Sequence, residues 1–133
     1  MQLPQSKPKN LMPEHIKRLN PEDEYYFREG CHIIEVSNSG NDEAVSIARA
    51  RVEPGVVTRW HSVLGTYERY VITSGKGEVE VGDQPPIEVG SGDVVLIPPD
   101  TKQRIRNTGS SDLEFLAICS PRFRIENYRE LSD

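Results

Sequence analysis

The feature that most constrains the fold of this 133-residue chain is how often its β-prone runs are broken. Cys31–Val36, Ala44–Val52, Val56–His61, Tyr67–Thr73, Lys76–Val81, Pro86–Val89, Val94–Ile97, Gln103–Asn107 and Leu113–Cys119 follow one another, with Gly, Pro, Asp or Asn marking the breaks. Many short strands separated by turn residues predict an antiparallel sandwich or barrel, an all-β fold. Ser37-Asn38-Ser39-Gly40-Asn41-Asp42 reads as a turn cluster, and Glu53-Pro54-Gly55 ends the run before it. Ahead of the strands, Pro13–Leu19 predicts a short helix, with Pro13 in its first turn and Pro21 ending it. Glu126–Leu131 predicts a last helical turn. No fixed-period repeat or low-complexity segment occurs.

Size and charge exclude several functions. A chain of this length makes one domain with a real core. Its net charge of −5 gives no electrostatic case for nucleic acid, which needs clustered cations. No apolar run reaches membrane-spanning length, so no membrane partner is expected. Met1–Asn10 is polar and lacks the apolar core of a secretory signal, so a cytoplasmic location is expected. Cys31 and Cys119 form no C-x-x-C unit and are expected as free, buried thiols.

Two spaced sets of residues stand out. The first is Gly55, five residues, His61, one residue, Val63, four residues, Glu68, six residues, Gly75. The second is Gly92, five residues, Pro98, one residue, Asp100, two residues, Gln103, three residues, Asn107. Together they resemble the paired signature of the cupin superfamily, G-x5-H-x-H-x3–4-E-x6-G and G-x5-P-x-G-x2-H-x3-N. The resemblance runs from about Ala44 to Phe123. It implies a double-stranded β-helix, or jelly-roll, barrel over residues 36–125. An N-terminal arm with the short helix, 1–35, would pack on the barrel or a partner, and 126–133 would be a tail.

In that family three His and one Glu usually hold a metal. Here His61 and Glu68 match, Val63 replaces the second His and Gln103 the third. Val63 cannot ligate, and an amide oxygen is a weak neutral donor. The metal set implied is His61, Glu68 and Gln103, holding at most one weakly bound divalent Fe, Mn, Ni or Zn ion. His15 and His32 match no ligand position. Without metal, the resemblance implies His61 as a base and Tyr70 as the acid partner, as in the epimerase-like members.

Alternation along strands sets the faces. Glu68, Tyr70 and Ile72 share one face. Gln103, Ile105 and Asn107 are expected inward, because Lys102, Arg104 and Arg106 on the other face cannot be buried unpaired. Trp60 is expected on the outer face, against another layer or a partner, as are Arg49 and Arg51. Arg59 shares the face of His61 if the strand extends that far and then suits an anionic substrate. The expected substrate lining is Arg59, Val63, Tyr70 and Ile105. Asp100 replaces the motif's Gly and tolerates left-handed dihedrals, while Asn107 is expected to bond backbone.

Two functions follow as expectations. One is an enzyme of oxygenase, isomerase/epimerase or lyase type acting on a small polar or anionic metabolite. The other is a non-catalytic small-ligand-binding or sensory module. Small cupin barrels commonly pair, so a homodimer is expected, with Tyr25, Tyr26 and Phe27 of the N-terminal segment available to dock.

Overall fold

The computed structural model describes residues 15–131. Eleven strands appear in chain order. They are β1 (Tyr25–Phe27), β2 (Cys31–Ser37), β3 (Ser46–Val52), β4 (His61–Val63), β5 (Tyr67–Ser74), β6 (Lys76–Val81), β7 (Ile87–Gly90), β8 (Val94–Ile97), β9 (Gln103–Asn107), β10 (Leu113–Ser120) and β11 (Tyr128–Glu130). They form two antiparallel sheets. One is six-stranded, ordered β1-β2-β3-β10-β5-β8, and the other five-stranded, ordered β11-β4-β9-β6-β7. This is the all-β jelly-roll barrel that the strand spacing and the paired motifs predict.

Alternation places the core. On β5, Glu68, Tyr70 and Ile72 are buried, while Arg69 and Val71 are only half-buried. On β9, Gln103, Ile105 and Asn107 are buried, and Arg104 pairs with Glu80 on the other face at 2.6 Å. Tyr70 meets Phe115 of β10 with ring centroids 4.3 Å apart, joining neighbouring strands of one sheet. Ile105 of the opposite sheet belongs to the same cluster. Apolar burial of this kind contributes about 25 cal/mol per Å² and is the main force closing the barrel.

Backbone chemistry explains the turns. Gly75 has φ 83°, and a Cβ there would stand 2.6 Å from the Asp112 carbonyl oxygen, so a side chain is excluded twice over. Asp100 adopts φ 63°, as its residue type permits, and its Oδ1 accepts the Gly65 N–H at 3.0 Å. Asn107 donates to the Val52 and Ser111 carbonyls and accepts from the Gly109 N–H. The outer-face arginines are paired: Arg49 with Glu24 and Glu114, Arg51 with Glu24 and Asp112. Trp60 packs beneath Lys102 and Arg104, with the Arg104 guanidinium carbon 4.3 Å from the ring centroid.

Four expectations about elements and boundaries differ from the structure. Residues 16–20 are not helical, and Pro13 and Glu14 lie outside the described residues. The Val56–His61 run is not a strand before His61. Val57 makes only an isolated bridge to Arg106. The Thr58 hydroxyl takes the Ile105 N–H at 2.9 Å, so a side chain replaces a ladder acceptor and regular pairing starts at His61. The tail is a single 3-10 turn, Ile125–Asn127, followed by β11, which pairs with β4. The boundary drawn at residue 35 falls inside β2, whose hairpin with β1 forms one side of the six-stranded sheet. Among the described residues no helix is long and apolar enough to cross a membrane.

Candidate functional site

The motif residues converge in the barrel. His61, Glu68 and Gln103 come from β4, β5 and β9, and all are buried. His61 is the register partner of Gln103. The Gln103 amide nitrogen donates to Glu68 Oε1 at 2.9 Å, and the Tyr70 hydroxyl donates to Gln103 Oε1 in a short contact. Both ends of the Gln103 amide are therefore engaged by protein groups.

His61 Nδ1 lies 2.8 Å from the Arg59 carbonyl oxygen. A carbonyl only accepts, so Nδ1 carries the hydrogen and fixes the tautomer. Nε2 then faces Glu29 Oε1 at 3.4 Å. The ring is steadied by Tyr128 of β11, stacked at 5.3 Å.

Glu29, which no motif marks, joins this cluster. It sits in the Arg28–Gly30 turn between β1 and β2, and is buried. Gly30 permits this turn with φ 109°. The Glu29 carbonyl accepts the Arg59 N–H at 2.8 Å, tying the turn to the chain entering β4. Glu29 Oε2 accepts the Cys31 thiol at 3.2 Å. A glutamate in a hairpin turn normally faces water, so no local signal marks it.

Burial pushes the Glu68 carboxyl up to about 7; the His61 ring opposes the shift, Glu29 adds to it, and the Gln103 hydrogen bond opposes it. Glu68 therefore titrates near neutrality. Burial, with the Glu68 and Glu29 charges, raises the Tyr70 hydroxyl well above the ordinary phenol value, so it stays protonated. Burial likewise raises both cysteine thiols, with Glu29 adding at Cys31 and Glu68 at Cys119. Both are free, protonated and packed, as small hydrophobes.

Beside this cluster, on the inner face of the six-stranded sheet, lies a cavity of about 50 Å³. Small residues on facing positions, Ser46, Ala48 and Ala50 of β3 with Ala117 of β10, leave the room. Glu29, Glu35 and Glu68 all line it. Tyr25, Phe27, Glu35 and Phe123 also line an outer chamber of about 450 Å³. Val63, Tyr70 and Ile105, expected as substrate lining, are buried core residues that do not line the inner cavity. Arg59 does not join them. Its side chain is 64% exposed and pairs with Glu130 at 3.3 Å, because alternation does not hold across the irregular segment before β4.

The implied metal centre does not fit these residues. Val63 supplies no donor, and Gln103 is occupied at both amide atoms. Among the described residues no group of three or more His, Cys, Asp or Glu side chains is arranged to hold a metal. His32 is spent elsewhere, 2.8 Å from the exposed Glu53, and His15 is exposed.

Comparison with known proteins agrees with the fold. The chain is 31% identical over 105 residues to an uncharacterised protein of Methanocaldococcus jannaschii, covering 77% of this chain and 83% of that one. It is 32% identical over 106 residues to an oxalate-binding protein of Thermotoga maritima, covering 75% and 86%. Pac13 of Streptomyces, a nucleoside dehydratase, superposes with a TM-score of 0.71 at 18% identity, covering 87% of this chain and 91% of that one, which is a likeness of fold. The family model described as Cupin domain matches residues 48–119, more than half the chain, and the chain belongs to the cupin family.

Proposed function

We propose that this cupin binds a small polar ligand in the barrel and moves protons on it without a tightly held metal. The single observation that carries this reading is the engagement of Gln103 between Tyr70 and Glu68. It removes a ligand position and, at the same time, builds an acid/base chain. Glu29 and Glu68 line the cavity, so they are the groups that would touch a ligand. Glu29 takes a proton and shares it with His61 behind it. Glu68, titrating near 7, gives one back. Tyr70 acts through Gln103 on Glu68 rather than on the ligand. Two separated proton-transfer groups suit isomerase/epimerase or lyase chemistry. Oxygenase chemistry calls for more free donors than His61 and Glu68 leave, and a divalent Fe, Mn, Ni or Zn ion would bind here only weakly.

A second reading is a non-catalytic binding or sensory module. It is favoured by the relative named as an oxalate-binding protein. In either case the protein works as a homodimer.

The test has two parts. Metal analysis of the purified protein should find far less than one ion per chain. A thermal-shift screen of nucleosides, sugars and short hydroxy acids should find a stabilising ligand, and NMR in deuterated water should show deuterium entering one of its carbon positions. Glu68→Gln should stop that exchange while binding persists. A stabilising ligand that never exchanges supports the binding module instead. Stoichiometric metal whose removal abolishes ligand binding would overturn the proposal.

A further inference from the structure

We infer that the inner cavity selects a small organic cation, an ammonium head group, and rejects carboxylates. The inference rests on the reading of the barrel interior as a ligand site and names the class of ligand.

Charge comes first. Three carboxylates line the cavity from three different elements: Glu29 from the β1–β2 turn, Glu35 from β2 and Glu68 from β5. Among the described residues no Lys, Arg or His lines it. The nearby arginines Arg122 and Arg124 belong to the outer chamber, where both pair with Glu43. They do not neutralise the interior.

Hydrogen-bonding capacity is the second observation. Glu68 is 8% exposed and lines the cavity. Among the described residues two donors reach it, the Gln103 amide at Oε1 and the Cys119 thiol, a weak donor, which together leave acceptor positions free. A carboxylate accepts about four hydrogen bonds. A buried carboxylate with spare acceptors facing a cavity calls for a donor, and an ammonium supplies up to three.

The walls supply the third. Tyr25, Phe27 and Phe123 line both chambers, with Tyr25–Phe27 and Phe27–Phe123 in edge-to-face contact at 6.5 Å. Aromatic faces carry negative potential and hold alkylammonium groups well. Glu35 is held at this throat by the Tyr25 hydroxyl on Oε2 and the Asn38 amide on Oε1. The floor is Ala48, Ala50 and Ala117. Such walls are wrong for a hard inorganic cation, which takes about six oxygen ligands. A cavity of about 50 Å³ holds about three or four water-sized atoms, enough for a methylammonium-sized head with its tail in the outer chamber.

The experiment titrates the protein with methylammonium and trimethylammonium chloride. Sodium acetate, sodium oxalate and ethylene glycol serve as size-matched comparisons, all at one ionic strength and pH 7.5. Methyl NMR of Ala48, Ala50 and Ala117 reads the cavity directly. The ammonium probes should shift these methyls saturably and acetate and oxalate should not. Glu35→Gln should weaken the ammonium response about tenfold and Glu35→Lys should abolish it. Glu35 is exposed at the throat, so both variants should fold, as their melting temperatures will report. Acetate or oxalate shifting the methyls as strongly as methylammonium overturns the inference. So does a neutral ligand reaching them while ammonium does not, and that result leaves the barrel-site reading standing. Failure of every probe and every screened ligand to reach these methyls overturns both.

Discussion

Gln103 Nε2 donates to Glu68 Oε1 across 2.9 Å, joining β9 of one sheet to β5 of the other inside the barrel. The position where the family motif has an imidazole is thus a strut between the sheets, and it also holds a carboxylate that titrates near neutrality.

Restoring the imidazoles should restore a metal site. Val63→His with Gln103→His adds two ring donors beside His61 and Glu68, and should raise nickel or zinc affinity by well over tenfold against a weak wild type. Calorimetry showing equally tight binding by both proteins contradicts this.

Removing the strut alone should cost stability. Gln103→Leu leaves the Tyr70 hydroxyl and the Glu68 carboxyl buried without their partner, at about 1–3 kcal/mol for each such group. Urea unfolding should place the loss at about 2–4 kcal/mol. A loss under about 0.5 kcal/mol, the range of an ordinary surface change, would mean that other groups satisfy both atoms.

Glu68 should also shape stability against pH. Its folded value, about 7, lies above the unfolded 4.5. The folded state therefore holds a proton that the unfolded chain has released, and stability falls as pH rises from about 4.5 to 7. The full loss is up to about 3 kcal/mol. Melting curves of Glu68→Gln should lack that downward slope. An identical slope in the variant would assign it to other groups.

Asp100 carries a left-handed backbone, φ 63°. Asp100→Gly should stay within about 1 kcal/mol of wild type, since glycine relieves the dihedral and forfeits the bond to Gly65. Asp100→Val should cost about 1–3 kcal/mol, because a β-branched residue tolerates that dihedral poorly. Equal melting temperatures for the two variants would refute this.

Association is measured by light scattering at micromolar concentration. A mass near 15 kDa, that of one chain, would refute the homodimer. Deleting residues 1–20 should weaken association more than it disturbs the barrel. Val94 and Leu96, exposed on the β8 edge of the six-stranded sheet, offer apolar surface for such a contact.

Most strands could be read in the sequence because their determinants are local. Gly and Pro break the chain, and alternation then decides which residues face in. Lys76–Val81, Val94–Ile97 and Gln103–Asn107 were legible to the residue, and Gln103 and Ile105 point inward for the reason the neighbouring cations require. The left-handed dihedral of Asp100 and the bonds of Asn107 to Ser111 and Gly109 are local, so those roles were also legible, whereas their bonds to Gly65 and Val52 come from the fold. Three things belong to the tertiary structure. Regular pairing fails over residues 56–60, because Thr58 bonds a strand distant in sequence, and this turns Arg59 out to Glu130. The tail becomes β11 only because β4 is there to pair with it. Glu29 becomes a site residue only because the β1–β2 turn closes over His61, 32 positions later in the chain. Contacts of that range are decided by how the sheets stack, and alternation within one strand carries no information about them.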